Sequence, residues 1–239
     1  MKRYALLFLL LISIFVPACS DFEIQECNKK TRQTSYVTVA TAFSLETEAV
    51  LEQITEQQSC QYDGIVYHFG NVEEQQIMLF ETGVGPEKAK KNTSLTLTNF
   101  QVEILVYSGI SGGLTENAIG QTFVPNQWFD LETGEKVQID EHLFSLSGFA
   151  SVNGSTSPKF VDDKKTVEYL RSEFDAVIVD METYHVAKIA ADNKIPFIAF
   201  RSVSDHADGD KKKEFYQQAA QASAVQVVKF ILLYCNTSP

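Results

Sequence analysis

Residues 176–208 read AVIVDMETYHVAKIAADNKIPFIAFRSVSDHAD, and apolar runs alternate there with carboxylates. The run at 176–179 is the kind of short apolar stretch that a buried parallel strand leaves. It leads straight into Asp180-Met181-Glu182. A helix is expected next, with Thr183, Val186, Ile189 and Ala190 on one face and Asn193 near its end. A second buried strand at 196–201 then ends in Ser202-Val203-Ser204-Asp205. The pattern predicts one βαβ unit with an acidic cluster at the carboxyl end of each strand, the edge of an open α/β sheet where ligands bind. Helix capping would account for Asp180 and a turn for Asp205. Neither requires Met-Glu after Asp180, or a buried Arg201 beside the second acid.

Outward from this stretch the same alternation continues. Residues 36–42, YVTVATA, are β-branched and alternating, a first strand. A first helix is expected at 45–57, and two strands at 65–70 and 76–81 are expected to form a hairpin around Asn71. Thr82-Gly83-Val84-Gly85-Pro86 suits a tight turn into a helix at 87–99, with Pro86 at its first position. A buried strand at 104–107 ends in Ser108-Gly109-Ile110-Ser111-Gly112-Gly113-Leu114, read as a glycine-rich loop whose amides can approach a ligand. A further strand at 123–130 carries Trp128 and Phe129, which suit a ligand pocket, the core or a subunit contact equally. The terminal helix, about 213–234, shows a packing stripe of Tyr216, Ala220, Val227, Ile231 and Tyr234. Strand, glycine-containing turn and helix in repetition exclude a bundle or a sandwich. No Gly-x-Gly-x-x-Gly opens a helix after the first strand, and no Walker lysine follows a glycine-rich loop, so no dinucleotide or P-loop nucleotide site is expected.

Asp180-Met181-Glu182 together with Arg201, Ser204, Asp205 and Ala207-Asp208 resembles the nucleoside phosphorylase/nucleosidase superfamily, most closely the methylthioadenosine/S-adenosylhomocysteine nucleosidases. The resemblance covers roughly residues 36–234. It implies a single-domain three-layer αβα fold with a central mixed, partly barrel-like sheet, a small-molecule nucleoside as ligand, a homodimer, and no cofactor or metal. It also implies roles. Asp205 is the general acid that protonates the purine, oriented by Ser204. Glu182 holds the ribose hydroxyls and favours the oxocarbenium-like state, and at the start of its helix it is expected to stay ionised. Met181 packs under the ribose. The first strand-to-helix turn supplies the carboxylate that orients water, Glu46 on an ungapped count or Glu48 with a longer turn, helped by Arg201.

Departures from the family pattern matter too. The glycine-rich stretch has Ile110 where the family offers a hydroxyl, leaving Ser111 to substitute, with Gly112 beside it. Residues 148–155, GFASVNGS, resemble the family's base-binding segment. There Val152 would meet the base, Ser151 stands in place of the stacking aromatic, and Phe149 is two residues earlier. Lys212 falls where the family carries an aromatic for the 5′ group. His206, next to Asp205, could line the pocket. The expected reaction is hydrolysis of a purine N-glycosidic bond, methylthioadenosine-like, releasing the base. The alternatives are a phosphate-dependent phosphorylase, or an exported nucleoside-binding relative without activity. Against the phosphorylase, the first strand is followed by Ala42-Phe43-Ser44-Leu45, with no phosphate-binding arginine.

The 239 residues are enough for one sizeable α/β core, and the net charge is −11. Lys2 and Arg3 fall in a segment expected to be removed, which leaves 18 basic against 31 acidic residues, or −13. So acidic a surface excludes nucleic acid as a partner and leaves only a lipid anchor as a membrane contact. Met1-Lys2-Arg3, an apolar run at 5–16 too short to be a membrane span, and Val16-Pro17-Ala18-Cys19 read as a lipoprotein leader of residues 1–18. Plain secretory cleavage after Ala18 is the alternative; either way the chain is expected to be exported to the cell envelope. Residues 19–35 read as a polar tether and 36–239 as the domain. With Cys19 lipidated, Cys27, Cys60 and Cys235 allow one disulfide and strand one thiol. The spacings fit no metal site.

Mass spectrometry of the mature N-terminal peptide should show it beginning at a lipidated Cys19. An unmodified peptide beginning at or after Cys19 would exclude lipidation while leaving export intact.

Overall fold

The computed structural model describes residues 24–209 and 212–237; the expected leader and Cys19 lie outside them. In chain order the elements begin with α1 Lys29–Gln33, β1 Ser35–Thr41, α2 Ser44–Leu51, β2 Thr55–Tyr62, β3 Ile65–Val72, β4 Gln75–Glu81 and α3 Pro86–Asn99. They continue with β5 Gln101–Gly113, β6 Thr122–Phe123, β7 Gln127–Asp130, β8 Lys136–Gln138 and α4 Glu141–Ser147. The last are β9 Asn153–Thr156, α5 Lys164–Phe174, β10 Ala176–Asp180, α6 Thr183–Asp192, β11 Phe197–Asp205 and α7 Lys213–Thr237.

The strands form one mixed sheet flanked by helices, in the order β2-β3-β4-β1-β5-β10-β9-β7-β8, with β11 and β6 branching from β5. The sheet is open, so the barrel-like character expected of it stops short of a closed barrel. β4, β1, β5 and β11 run parallel, and β2–β3–β4 is an antiparallel meander at one edge. β11 is buried along its whole length and β1 everywhere but Ser35, as strands covered on both faces must be. α7 lies against β5 and β11 through Ala220, Ser223, Ala224 and Val227.

Three local expectations change. The first helix stops at Leu51, because 55–62 pair with β3 as an antiparallel strand; the ladder outweighs the helix preference of its Glu and Gln residues. The glycine-rich stretch is no loop: β5 runs unbroken through it, paired with β11 from Leu105 to Gly112 and with β10 at Gly112 and Gly113. β10 and β11 are also not neighbours in a βαβ unit. β11 runs parallel along one edge of β5, and β10 meets the end of the other edge antiparallel. Their carboxyl ends nevertheless converge, because β10 approaches the end of β5 from the opposite direction.

The expected tether is corrected from residue 24 onward. Glu26 bridges Gln61, the Cys27 N–H donates to the Gln61 carbonyl at 2.8 Å, and Cys27 is disulfide-bonded to Cys60. α1 follows, with the Asn28 side chain accepting from the Thr31 N–H. A covalent link and main-chain pairing hold this segment on β2, so the folded unit begins before Tyr36. Cys235 is the free thiol among the described residues.

Closing the loop between Cys27 and Cys60 restricts the unfolded chain, a constraint worth about 2–4 kcal/mol. The double variant Cys27→Ser/Cys60→Ser should lose stability of that order in chemical denaturation at unchanged native secondary structure. A loss near zero would show that the segment is held by its backbone bonds alone.

Candidate active site

One cavity opens where β1, β5, β10 and β11 end. Glu46, Ser111, Gly112, Met181, Glu182, Ser204 and Asp205, all expected from the sequence, line it. Glu46 comes from the first turn of α2 and is buried; Glu48 points away and is exposed. The Glu46 Oε2 accepts from the Ala42 N–H at 2.6 Å and its Oε1 from the Ile110 N–H at 2.9 Å. Residue 110 thus serves through its backbone, whatever its side chain. Burial pushes the Glu46 carboxyl up, opposed by Arg201 and by these two amides.

Arg201 does not line the cavity. It lies beneath it, fully buried. Its Nε and Nη2 donate to Thr183 Oγ1 at 2.9 and 2.7 Å, Nε is 3.0 Å from Asp180 Oδ2, and Nη1 is 3.9 Å from Glu46 Oε1. Burial alone would lower its pKa, but Asp180 and the other acids around it hold it above the usual arginine value. Gly109 makes this position possible: a Cβ there would lie 1.7 Å from Arg201 Nη1 and 2.7 Å from Glu46 Oε1. The glycine in mid-strand marks a close approach.

Asp180 anchors the other side. Its carboxylate accepts from Thr156 Oγ1 at 2.7 Å, from the Glu182 and Thr183 N–H groups, and from the Thr183 hydroxyl. It therefore caps α6 from two residues before the N-cap and neutralises Arg201 as well. Glu182 follows, buried, and its Oε1 accepts from the Gly85 N–H at 2.7 Å. Gly83 and Gly85 hold φ of 83° and 90°, the left-handed region that lets this turn aim its amide at Glu182. The expectation that Glu182 stays ionised meets an opposing effect. Burial first, and Asp180 next, raise its pKa to about 8 against the pull of Arg201 and the Gly85 amide.

Asp205 ends β11, buried. Its Oδ1 accepts from the Ala207 N–H at 2.9 Å, and Ser204 Oγ is 2.9 Å from its Oδ2 and 3.2 Å from the Ser111 carbonyl. Burial raises its pKa against these two bonds. The Ser111 hydroxyl is buried without a protein partner.

The segment expected to bind the base does not reach the cavity. Residues 148–152 precede β9, and the parallel pairing of Asp180 with Thr156 puts the other end of β9 at the cavity. The Phe149 ring meets the Phe200 ring edge-on at 6.0 Å, and the Val152 carbonyl accepts from the Asn126 N–H; neither residue lines the cavity. Lys159, Phe160 and Val161, just after β9, do. Reading Asn153–Thr156 as a strand would have pointed to them. Phe43, Val84 and Tyr216 complete the apolar lining. Lys212, folded over the Phe215 ring at 4.9 Å, does not line it; Tyr216, one turn further along α7, does. His206 is exposed and outside the cavity, Trp128 is fully buried core, and Phe129 stacks on Phe174 at 4.9 Å.

Known proteins share this frame. The 5′-methylthioadenosine/S-adenosylhomocysteine nucleosidase of Maridesulfovibrio salexigens is 24% identical over 218 residues, 79% of this chain and 94% of that protein. The same nucleosidase from Helicobacter pylori, solved as a variant with 5′-methylthioadenosine in the active site, has a TM-score of 0.77 at 22% identity, covering 83% of this chain and 98% of that one. A futalosine hydrolase variant from Helicobacter pylori has a TM-score of 0.76 at 22% identity, covering 83% and 99%. Residues 36–162 and 149–232 match the model of the phosphorylase superfamily. That match runs from the first strand of the parallel sheet into the last helix, and the chain belongs to the phosphorylase superfamily.

Proposed function

We propose that this protein hydrolyses the N-glycosidic bond of a purine nucleoside and releases the free base. The observation that carries the reading is the convergence on one cavity of Glu46, Glu182 and Asp205, three of the four buried carboxyl groups that line it, each in a different setting. Asp205 is raised by burial and steadied by Ser204, so it can hold a proton and deliver it to the purine as the bond breaks. Glu46, with one amide on each oxygen and Arg201 behind it, is suited to orient and deprotonate a water. Glu182 faces the cavity from the start of α6 and suits the ribose hydroxyls; positive charge developing on the sugar would favour its ionised form. Inverting glycosidases divide acid and base work between two carboxyl groups in the same way.

The substrate class follows from the lining. Val161 packs in one apolar cluster with Val179, which flanks Gly112 together with Asp205, and with Phe160 these residues offer the cavity an apolar surface that suits a purine ring. Phe43, Val84 and Tyr216 offer apolar surface for a 5′ group of the methylthio kind. The relatives named for methylthioadenosine and futalosine favour such 5′-substituted nucleosides. Export fits the Cys27–Cys60 disulfide, since such bonds persist in oxidising compartments. Lipid anchoring at Cys19 and a homodimer belong to the same reading.

Incubating the protein with a panel of nucleosides, with and without phosphate, tests it. Free base should appear at the same rate in both arms. Strict phosphate dependence, with ribose 1-phosphate as product, would make it a phosphorylase, and tight binding without cleavage would make it an inactive binder.

Asp205→Asn keeps the shape and most of the hydrogen bonding but removes the transferable proton. Hydrolysis should fall by at least about 10²–10⁴-fold, the usual worth of general acid catalysis, while nucleoside binding persists; Glu182→Gln should also abolish turnover. In the wild type, Asp205 must be protonated and Glu46 ionised. kcat/KM should therefore fall as pH rises through the raised Asp205 pKa, and fall again as pH drops through that of Glu46. Wild-type rates in Asp205→Asn would refute this assignment.

A further inference from the structure

The Arg201 guanidinium has two edges and two faces, and the acids and Thr183 use only its edges. One face is covered by Tyr107, whose ring centroid lies 3.9 Å from the guanidinium carbon. Tyr107 is fully buried in the middle of β5, paired with Ala40 of β1 on one side and with Ala199 of β11 on the other. Its hydroxyl is 2.9 Å from Thr82 Oγ1, and Thr82 in turn donates to the Thr41 carbonyl at 3.1 Å. The ring is thus clamped at both ends, by strand pairing at its backbone and by Thr82 at its tip.

We propose that Tyr107 is a positioning residue for the hydrolysis assigned above: its ring fixes the Arg201 guanidinium between Asp180 and Glu46 and so aims Nη1 at the Glu46 carboxylate. Among the described residues no other aromatic ring covers the guanidinium, and Gly109, two residues further along the same strand, leaves Nη1 the room it occupies. Arginine stacks on aromatic faces, and the contact is strongest when water is excluded. The charged and titratable groups around Arg201 are Glu46 from α2, Asp180 from the end of β10, Glu182 from the start of α6, and Tyr107 from β5. The Tyr107 phenol is held well above its ordinary pKa by burial and stays neutral throughout. It therefore acts through its ring face, and its effect on catalysis passes through Arg201 to Glu46, whose carboxyl Arg201 pulls down.

The experiment compares the pH dependence of kcat/KM in wild type, Tyr107→Phe and Tyr107→Leu, alongside melting temperature against pH for each. Tyr107→Phe keeps the ring and should leave the acidic limb where it is. Tyr107→Leu loosens Arg201, so the Glu46 pKa rises, and the acidic limb should move to higher pH with kcat reduced more than KM is raised. The folded protein binds its Glu46 proton above the unfolded pKa, so that share of stability is lost as pH rises through the folded pKa; in Tyr107→Leu the decline should extend to higher pH. If the leucine variant does not fold, Tyr107→Met, of similar length and without a ring, takes its place. An unmoved acidic limb in the ringless variant, or the same shift in Tyr107→Phe, overturns the proposal. If the wild type cleaves no nucleoside, the functional reading fails instead, and the melting profiles still decide whether Tyr107 sets the Arg201–Glu46 contact.

Discussion

A positive charge with no access to water sits at the centre of this protein. Burying a guanidinium is costly unless every donor finds an acceptor and the charge is balanced. Arg201 is balanced by Asp180 and hydrogen-bonded to Thr183 on one side, with Glu46 a longer-range counter-charge on the other. Each of these is supplied by a different element, and none can move without exposing the others to an unpaired charge. β5 must carry a glycine at 109 to let the guanidinium through, and α6 must begin where the Asp180 carboxylate can cap it. The convergence of β1, β5, β10 and β11 follows from satisfying this one group.

The same low-dielectric surroundings divide the carboxyl groups by task. Burial raises Glu46, Glu182 and Asp205 alike, and what differs is the set of donors that pulls each one back. Asp180 sits nearest the guanidinium, with several backbone and hydroxyl donors, and its role is that of a counter-ion and helix cap. Glu46 has two amides and a more distant Arg201. Asp205 has one amide and one hydroxyl. Glu182 shares its setting with Asp180, and like charges in one site push one of the pair towards its neutral form.

How much of this was legible depends on range. The acids after the two apolar runs, and the carboxylate in the first turn of α2, could be read because a strand end followed by a helix start is a local pattern. The glycine-rich stretch reads as a loop because mid-strand glycine is ordinarily unfavourable; the reason for Gly109 is a side chain 92 positions later. The segment expected to meet the base centres on Val152, whereas the cavity is lined eight residues later, at Phe160. Asn153-Gly154 looks like a motif, and only the pairing of Thr156 with Asp180 shows which end of β9 faces the cavity. Residues 24–35 read as a tether because they are polar, and a disulfide partner cannot be deduced from composition.

By itself the sequence determined the alternation of strands and helices, the identity of the carboxyl groups and their places at strand ends, since period and caps are properties of neighbouring residues. The tertiary structure alone decided that β10 meets β5 antiparallel, that Tyr216 and Phe160 line the cavity while Lys212 and Phe149 do not, and that Arg201 lies beneath it. These are outcomes of strand pairing between distant segments. A buried charge selects among such pairings by the partners each brings within a few ångströms, and no local pattern records that choice.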